Sequence, residues 1–560
     1  MSWLGILYQI STAWLAIYSL NSLLLSLTYL RARRGTPPTH APAVWPSVTI
    51  QLPIYNELHV AERAIMAANR IDYPRDLLQI QVLDDSTDET AGLVRQAVLR
   101  SASSGRDIVH LHRTHRTGFK AGALAQGSLS ATGEFVAVFD ADFVPQPDFL
   151  RRILPYFSSP DVGCVQGRWG HLNRYCSTLT QAQALGIDGH FGIEQRVRSD
   201  SGLFLNFNGS AGVWRRSCID DAGGWQTDTL AEDLDLSYRA QLAGWKIVFA
   251  RDVCAPAELP PQLDALRRQQ ARWAQGSIRV AIKLLPALLR SGESWLVKAE
   301  GAIHLTGYLV HPLLLATLLL TAATIFGAQQ FPTIPPYYLL GTAGPTLMYL
   351  VAEAGQAESR WQRARLAPLL MLLGVGLALN NSMAIAKSLL CRRSEFLRTP
   401  KFDVNGSGDQ WRGSAYALRC STLVWGELVL TMLSWCAAWT QWQRTGVFSL
   451  WLAVYGLSFA YVALTSLLQA WQTQRARVES RSSDRRGEVL AGIRGEESRA
   501  CGRSRNLGQG SGQSHFETGG ESPWPRAATD RVPGVRVSHG GSAGQHDWPM
   551  GKRRSGDLWS

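Results

Sequence analysis

The sequence predicts an α/β domain with a mostly parallel sheet, joined to an α-helical transmembrane region. Three observations predict it. Short apolar runs alternate with helical patterns from Val48 onward, as expected for strands linked through helices. Carboxylates cluster directly after two of those runs, at Asp84 and Asp85 and again at Asp140 and Asp142. Elsewhere the apolar residues are clumped, with the first 30 residues and several stretches after residue 300 nearly free of charge.

The clumping matters because the averages conceal it. A hydrophobic content of 46% and a mean hydropathy of -0.06 would pass for a soluble protein. The formal charge of +12 invites nucleic acid as a partner. Yet the basic residues flank apolar segments (Arg31, Arg33 and Arg34; Arg360, Arg363 and Arg365; Arg392 and Arg393) or lie near the C-terminus. That placement is the excess of Lys and Arg found on cytoplasmic loops, so no nucleic-acid role is expected. The eight cysteines show no CxxC pair and no His/Cys metal spacing, which reads as reduced thiols.

Leu4 to Leu30 is long enough to cross a bilayer, which takes about 20 apolar residues. A secretory leader carries its charge before the apolar core. Here RARR follows it, so residues 1–30 read as an uncleaved span with an outside N-terminus. Residues 31–46, rich in proline, read as a linker. Residues 47–262 read as the α/β domain. VTIQLPI, IQVLDD, DIVHLH and EFVAVFDAD supply strands, and GFKAGALAQG starts a helix. In such sheets ligands bind beyond the carboxyl ends of the strands, where the carboxylates fall.

Residues 263–290 mix basic and apolar residues as a helix lying along a membrane surface would. The membrane region, 299–470, holds apolar blocks at 301–326, 337–353, 366–390, 421–441 and 446–469. In the 366–390 block the clean apolar part, Leu366 to Leu379, is about 14 residues, a length suited to an interfacial segment. Asn380, Asn381, Ser382 and Lys387 then interrupt it. Laying it on the inner surface also keeps the flanking basic loops on one side. Five spans and one interfacial helix are therefore expected. Residues 475–560 have too few aliphatics to bury and read as a disordered tail.

Candidate chemistry sits in four places. Asp140 and Asp142 are two apart, so in an extended segment both carboxylates face one side. That arrangement suits Mg²⁺ or Mn²⁺ shared with substrate phosphates. Lys120, with Arg116 before it, lies at a helix start, a favourable place for phosphate. Glu232 and Asp233 open another helix; alone they would be dipole partners, but such a carboxylate can also accept a proton. Gln269, Arg272 and Trp273 form a Q-x-x-R-W cluster, with an arginine able to grip phosphate bidentately. His110, His112 and His115 lack a carboxylate or cysteine at metal spacing and read as polar strand or loop residues. Trp225 and Trp245 read as core.

The stretches QLPIYNE, DDSTD, FKAGAL, FDADF, NGSAGVWR, AEDLDLSYRA and QQARW occur in that order. Order and spacing resemble family 2 membrane glycosyltransferases, in particular the cellulose synthase-like mannan and glucan synthases and their bacterial relatives. The resemblance covers residues 45–280 closely and the membrane region loosely. It implies a GT-A fold in a multi-pass protein of the cell membrane, with the catalytic domain cytoplasmic. The reaction implied is an inverting, metal-dependent hexosyl transfer from a nucleotide-diphosphate sugar, UDP-glucose or GDP-mannose, onto a growing β-linked polysaccharide with coupled export. The alternative is single transfer to a diacylglycerol or sphingolipid acceptor.

Residue by residue, the resemblance puts Pro53, Tyr55, Glu57, Asp84 and Asp85 near the nucleotide, and Lys120 on the donor. It makes Asp140 and Asp142 holders of the metal-diphosphate, and Asp233 the general base with Glu232 beside it. Gln269 and Arg272 would contact donor or acceptor, and Trp273 the acceptor end. Phe396, Thr399 and Lys401 match an F-x-V-T-x-K gating loop, with Arg398 in place of valine. Ala231 replaces the threonine of the T-E-D motif.

Overall fold

The structure is a computed structural model that describes residues 3–32, 42–327, 336–352, 360–390, 396, 398–404 and 410–505. Most of the expected linker, part of the expected gating loop, and residues 506–560 of the expected tail lie outside the described residues. The chain divides into two compact units, Met1–Arg486 and Gly487–Ser560. In the second unit the described residues, 487–505, are helical.

Among the described residues, seven strands form one sheet: β1 Val48–Ile54, β2 Leu78–Asp84, β3 Asp107–His112, β4 Phe135–Val138, β5 Val162–His171, β6 Gly212–Arg215 and β7 Lys246–Ala257. The spatial order is β3-β2-β1-β4-β6-β5-β7. β1, β2, β3 and β4 run parallel, β6 runs antiparallel to both its neighbours, and β5 and β7 are parallel. β2 is buried along its whole length and β1 at all but Pro53, as strands covered by helices on both faces must be. Their polar residues pair across strands: Thr49 Oγ1 donates to Gln79 Oε1 at 3.0 Å, and Gln51 Nε2 to Gln81 Oε1 at 3.0 Å. One face of the sheet packs Ile50, Leu52, Ile80, Val82 and Phe139 into the largest core. The other packs Leu83, Val136, Phe207 and Trp214.

The register sets the site. Ile54 pairs with Asp84, and Asp84 with His112, so the chain leaves β1, β2 and β3 at one level. β4 ends two residues before Asp140, on the same edge.

Among the described residues, five helical stretches are long and apolar enough to cross a membrane: Trp3–Arg31, Trp295–Phe326, Ala364–Leu390, Leu423–Thr445 and Leu450–Glu479. This set differs from the expected one. Pro336–Val351 borders residues outside the described ones, and the 366–390 block, expected on the surface, lies in Ala364–Leu390, which by length and composition could cross. It is built from two consecutive helices, Arg360–Gly376 and Ala378–Leu390, and the polar residues of the second find partners. Asn380 Nδ2 donates to the Arg267 carbonyl at 3.1 Å, and Asn381 Nδ2 lies 2.9 Å from His311 Nε2. Earlier in the same block, Leu373 and Leu377 pack with Leu179, Leu263 and Leu266 of the α/β side.

The helix Leu263–Arg290 occupies the stretch read as amphipathic. The last helix runs from Leu450 to Arg505, past the point at Arg475 where disorder was expected.

Candidate active site

A cavity of about 160 Å³ opens at the carboxyl ends of the strands. Pro53, Tyr55 and Glu57 reach it from β1, Asp85 from β2, and Asp140 and Asp142 from β4. Lys120, Glu232 and Asp233 come from two helix starts, and Gln269, Arg272 and Trp273 from the long helix. Phe396, Thr399 and Lys401 close it.

Lys120 is the hub of the charges. Its Nζ lies 2.5 Å from Asp140 Oδ1 and 3.8 Å from Glu232 Oε1, and donates to the Gly209 carbonyl at 2.8 Å. Gly209 has φ +82°, and a Cβ there would sit 2.7 Å from Asp233 Oδ2 and 3.3 Å from Lys120 Nζ. Backbone conformation and space both demand glycine. Burial would strip the Lys120 proton, but Asp140 and Glu232 outweigh it and raise its affinity.

The helix Glu232–Leu242 explains how one acidic cluster divides its work. Asp233 Oδ1 accepts the Leu234 N–H at 2.8 Å, a local contact within the first turn. Burial, then the neighbouring Glu232 charge, push the Asp233 carboxyl up to about 7 against the pull of Lys120. A carboxylate poised near neutrality suits a general base. Asp235, two residues on, instead pairs with Arg239 at 2.7 Å and with Lys283 of the long helix at 2.7 Å. A Cβ on Gly276 would meet the Ala231 Cβ at 2.6 Å. Small residues at both positions let the long helix approach the carboxylates closely.

The closing loop is clamped at each turn. Phe396 stacks on Phe119 with centroids 5.5 Å apart. The Arg272 guanidinium lies 4.9 Å from the Phe396 ring, and Arg116 lies 3.5 Å over Tyr55. Arg398, at the position of the usual valine, is 2.8 Å from Glu57 Oε2. Lys401 Nζ is 2.6 Å from Asp142 Oδ2 and donates to the Glu258 carbonyl at 2.9 Å. The Glu258 carboxylate accepts the Phe402 and Asp403 N–H groups at 2.8 and 3.0 Å. Burial pushes the Glu57 carboxyl up to about 8, with Arg398 pulling it back.

Asp84 is the one expected site residue that does not line the cavity. Its side chain is fully buried, 3.0 Å from His110 Nε2 and 3.2 Å from His112 Nδ1. The Ser86 N–H donates to its other oxygen at 2.9 Å. Burial opposes ionisation, yet the hydrogen bonds from His110 and Ser86 hold its carboxyl below the ordinary value. The histidine cluster therefore has a carboxylate partner after all, supplied by the neighbouring strand. The three ligand atoms lie within 4.8 Å of one another.

Several residues near the cavity were not singled out from sequence, Glu258 and Gly209 among them. Arg113 grips Asp85 through Nε at 2.6 Å and Nη2 at 2.5 Å. Its position directly after a strand that ends level with Asp84 was the available signal. Trp169 and His171 line the cavity from β5, a strand that the sequence pattern did not mark.

Residues 46–276 match the family described as glycosyltransferase-like family 2. They form a family 2 glycosyltransferase domain. The mostly parallel sheet with its strand-end cavity is the domain's GT-A fold.

Over 328 residues the chain is 38% identical to glucomannan 4-beta-mannosyltransferase 7 of Arabidopsis thaliana, covering 57% of this chain and 58% of that one. Over 259 residues it is 42% identical to probable glucomannan 4-beta-mannosyltransferase 7 of Oryza sativa subsp. japonica, covering 45% and 44%. These matches support the mannan synthase-like branch for the glycosyltransferase domain, and the chain spans about half the length of the relatives. Among solved structures it is similar to the mannosyltransferase PcManGT from Pyrobaculum calidifontis in complex with GDP-Man and Mn²⁺, at 22% identity and a TM-score of 0.48. That alignment covers 69% of this chain and 99% of the other.

Proposed function

We propose that the chain is a membrane-embedded, inverting hexosyltransferase that moves mannose from GDP-mannose onto a growing β-linked polysaccharide. One observation carries the reading: Asp233, Lys120, Asp140 and the Gln269–Arg272–Trp273 cluster converge on a single cavity. The choice of mannose rests on the names of the relatives at about 40% identity, both glucomannan mannosyltransferases.

In this reading Asp233 takes the proton of an acceptor hydroxyl as that oxygen attacks the anomeric carbon. The bond from that carbon to the diphosphate breaks, and its electron pair leaves with the diphosphate. Lys120 and Arg272 hold the departing charge. Trp273 stacks on the acceptor end. Attack opposite the nucleotide turns an α-linked donor into a β-linked product.

Asp140 and Asp142 fit Mg²⁺ or Mn²⁺, since both present carboxylate oxygens to the cavity and each is balanced by a lysine that can turn to phosphate. When bound, such an ion would neutralise charge on the diphosphate. Product export along the apolar helices, and a cytoplasmic face for the domain, complete the proposal.

The test supplies radiolabelled GDP-mannose or UDP-glucose to the full chain in lipid vesicles with Mg²⁺ or Mn²⁺. A high-mass product from GDP-mannose, cut by β-mannanase, is expected. A high-mass product from UDP-glucose, cut by β-glucanase, would overturn the sugar. A small, organic-soluble labelled product would replace polymer synthesis by transfer to a lipid.

A further inference from the structure

A second cavity, of about 780 Å³, lies next to the first. That is within the usual range of about 300–1,000 Å³ for a ligand pocket. Its walls come from the long helix Leu263–Arg290, from Asn380 and Lys387 of the helix Ala378–Leu390, and from residues 415–422. Arg272 and Arg398 line both cavities and form the partition between them.

The lining is strongly basic. Arg267, Arg268, Arg272, Lys387, Arg398 and Arg419 face it, with Asp264 the one carboxylate among the lining residues. Two of these cations are satisfied. Arg267 pairs with Asp264 at 2.7 Å and Glu427 at 2.5 Å, and Arg398 pairs with Glu57 at 2.8 Å. Arg268, Arg272, Lys387 and Arg419 form no ion pair among the described residues. Four like charges around one cavity repel one another, and an anion between them removes that cost. Burial, opposed by Asp264 and reinforced by the Arg398 charge, pulls the Arg268 guanidinium below its ordinary proton affinity.

The chemistry of the walls selects the anion. Guanidinium forks match phosphate oxygens two at a time, and an ammonium adds a point charge. The lining of this cavity carries one aromatic residue, Tyr416, so it offers little to the faces of sugar rings. Lys387 and Arg419 flank the ends of the apolar helices Ala364–Leu390 and Leu423–Thr445, the level at which basic pockets meet lipid headgroups.

We propose that this second cavity binds a phosphate-bearing anion, held by Arg268, Lys387 and Arg419 with Arg272 as the shared wall. A free diphosphate and an anionic phospholipid headgroup both have this chemistry.

The experiment uses the full chain carrying Lys120→Ala, which removes the lysine of the first cavity, in phosphatidylcholine nanodiscs. Inorganic diphosphate is titrated calorimetrically. In parallel, nanodiscs containing some phosphatidylglycerol are analysed for lipid retained by the protein. Diphosphate binding, or phosphatidylglycerol enrichment, is expected to fall about tenfold on adding Arg268→Gln, Lys387→Gln and Arg419→Gln, the scale of losing charge-assisted bonds.

A response to diphosphate assigns a soluble ligand, and enrichment alone assigns a lipid. If neither is seen, or if the three substitutions leave either unchanged, the proposal is overturned. Should the triple variant fail to fold, Arg419→Gln alone, at an exposed side chain, must weaken binding about threefold; unchanged binding overturns the proposal equally.

Discussion

Lys401 and Asp142, 259 positions apart in the chain, form a buried ion pair of 2.6 Å in the lining of the strand-end cavity. The pair ties a loop that follows the apolar helices to a carboxylate at the end of β4. It also places a lysine on the oxygen that a divalent ion would need.

Replacing Lys401 by methionine should therefore expose a competition. Mn²⁺ binding to the donor-free protein is expected to tighten about tenfold, the scale of a hydrogen bond to a charged group. Calorimetric titration of Mn²⁺ checks this, with transfer measured alongside and expected to fall as the loop loses its anchor. Unaltered Mn²⁺ affinity would show that the ion and Lys401 do not share Asp142.

Asp233→Asn should reduce transfer by about a hundredfold or more, the range for losing a positioned base. Donor affinity, read by nucleotide-sugar titration, should change little. The wild-type rate should also depend on pH in one direction. Because burial and Glu232 push the Asp233 carboxyl up to about 7, and the base works ionised, the rate should fall tenfold per unit below that value and level off above it. An acid limb near the ordinary carboxylate range would contradict the assignment.

Arg113→Ala leaves Asp85, only 4% exposed, without the two bonds from Arg113 and with Arg116 at 3.8 Å as its remaining guanidinium. Donor affinity is expected to drop about tenfold, as for a lost charge-assisted pair at a binding site. Arg113→Lys should restore little of it, because an ammonium cannot reproduce the fork. Full recovery by lysine would make charge, not geometry, the relevant property.

The buried group Arg267, Asp264 and Glu427 predicts an asymmetry. Arg267→Met strips both carboxylates of their cation and should cost about 3–5 kcal/mol, the usual penalty for breaking a buried pair. Glu427→Gln should cost clearly less, since Arg267 keeps Asp264 at 2.7 Å. Thermal unfolding of the two variants in the same detergent orders them.

The four parallel strands β1 to β4, the strand-end position of the carboxylates and the presence of apolar helices were legible in the sequence, whereas β5, β6 and β7 were not. Strand period, helix starts and hydrocarbon length are local properties, written within a few residues or a few turns. Asp140 and Asp142 were legible because β4 ends just before them, and Glu232 and Asp233 because an apolar helix follows. The 366–390 block shows where local reading stops. Asn380 and Asn381 look like interruptions until Arg267 and His311 are seen to satisfy them.

Only the tertiary structure decided which partners the site residues keep. Asp84 turned out to face His110 and His112 rather than the cavity, Asp85 to be gripped by Arg113, and Asp142 to be held by Lys401. These contacts join residues far apart in the chain, and no periodic pattern encodes them. They follow from strand register and from the way buried charges must be paired wherever folding brings them together.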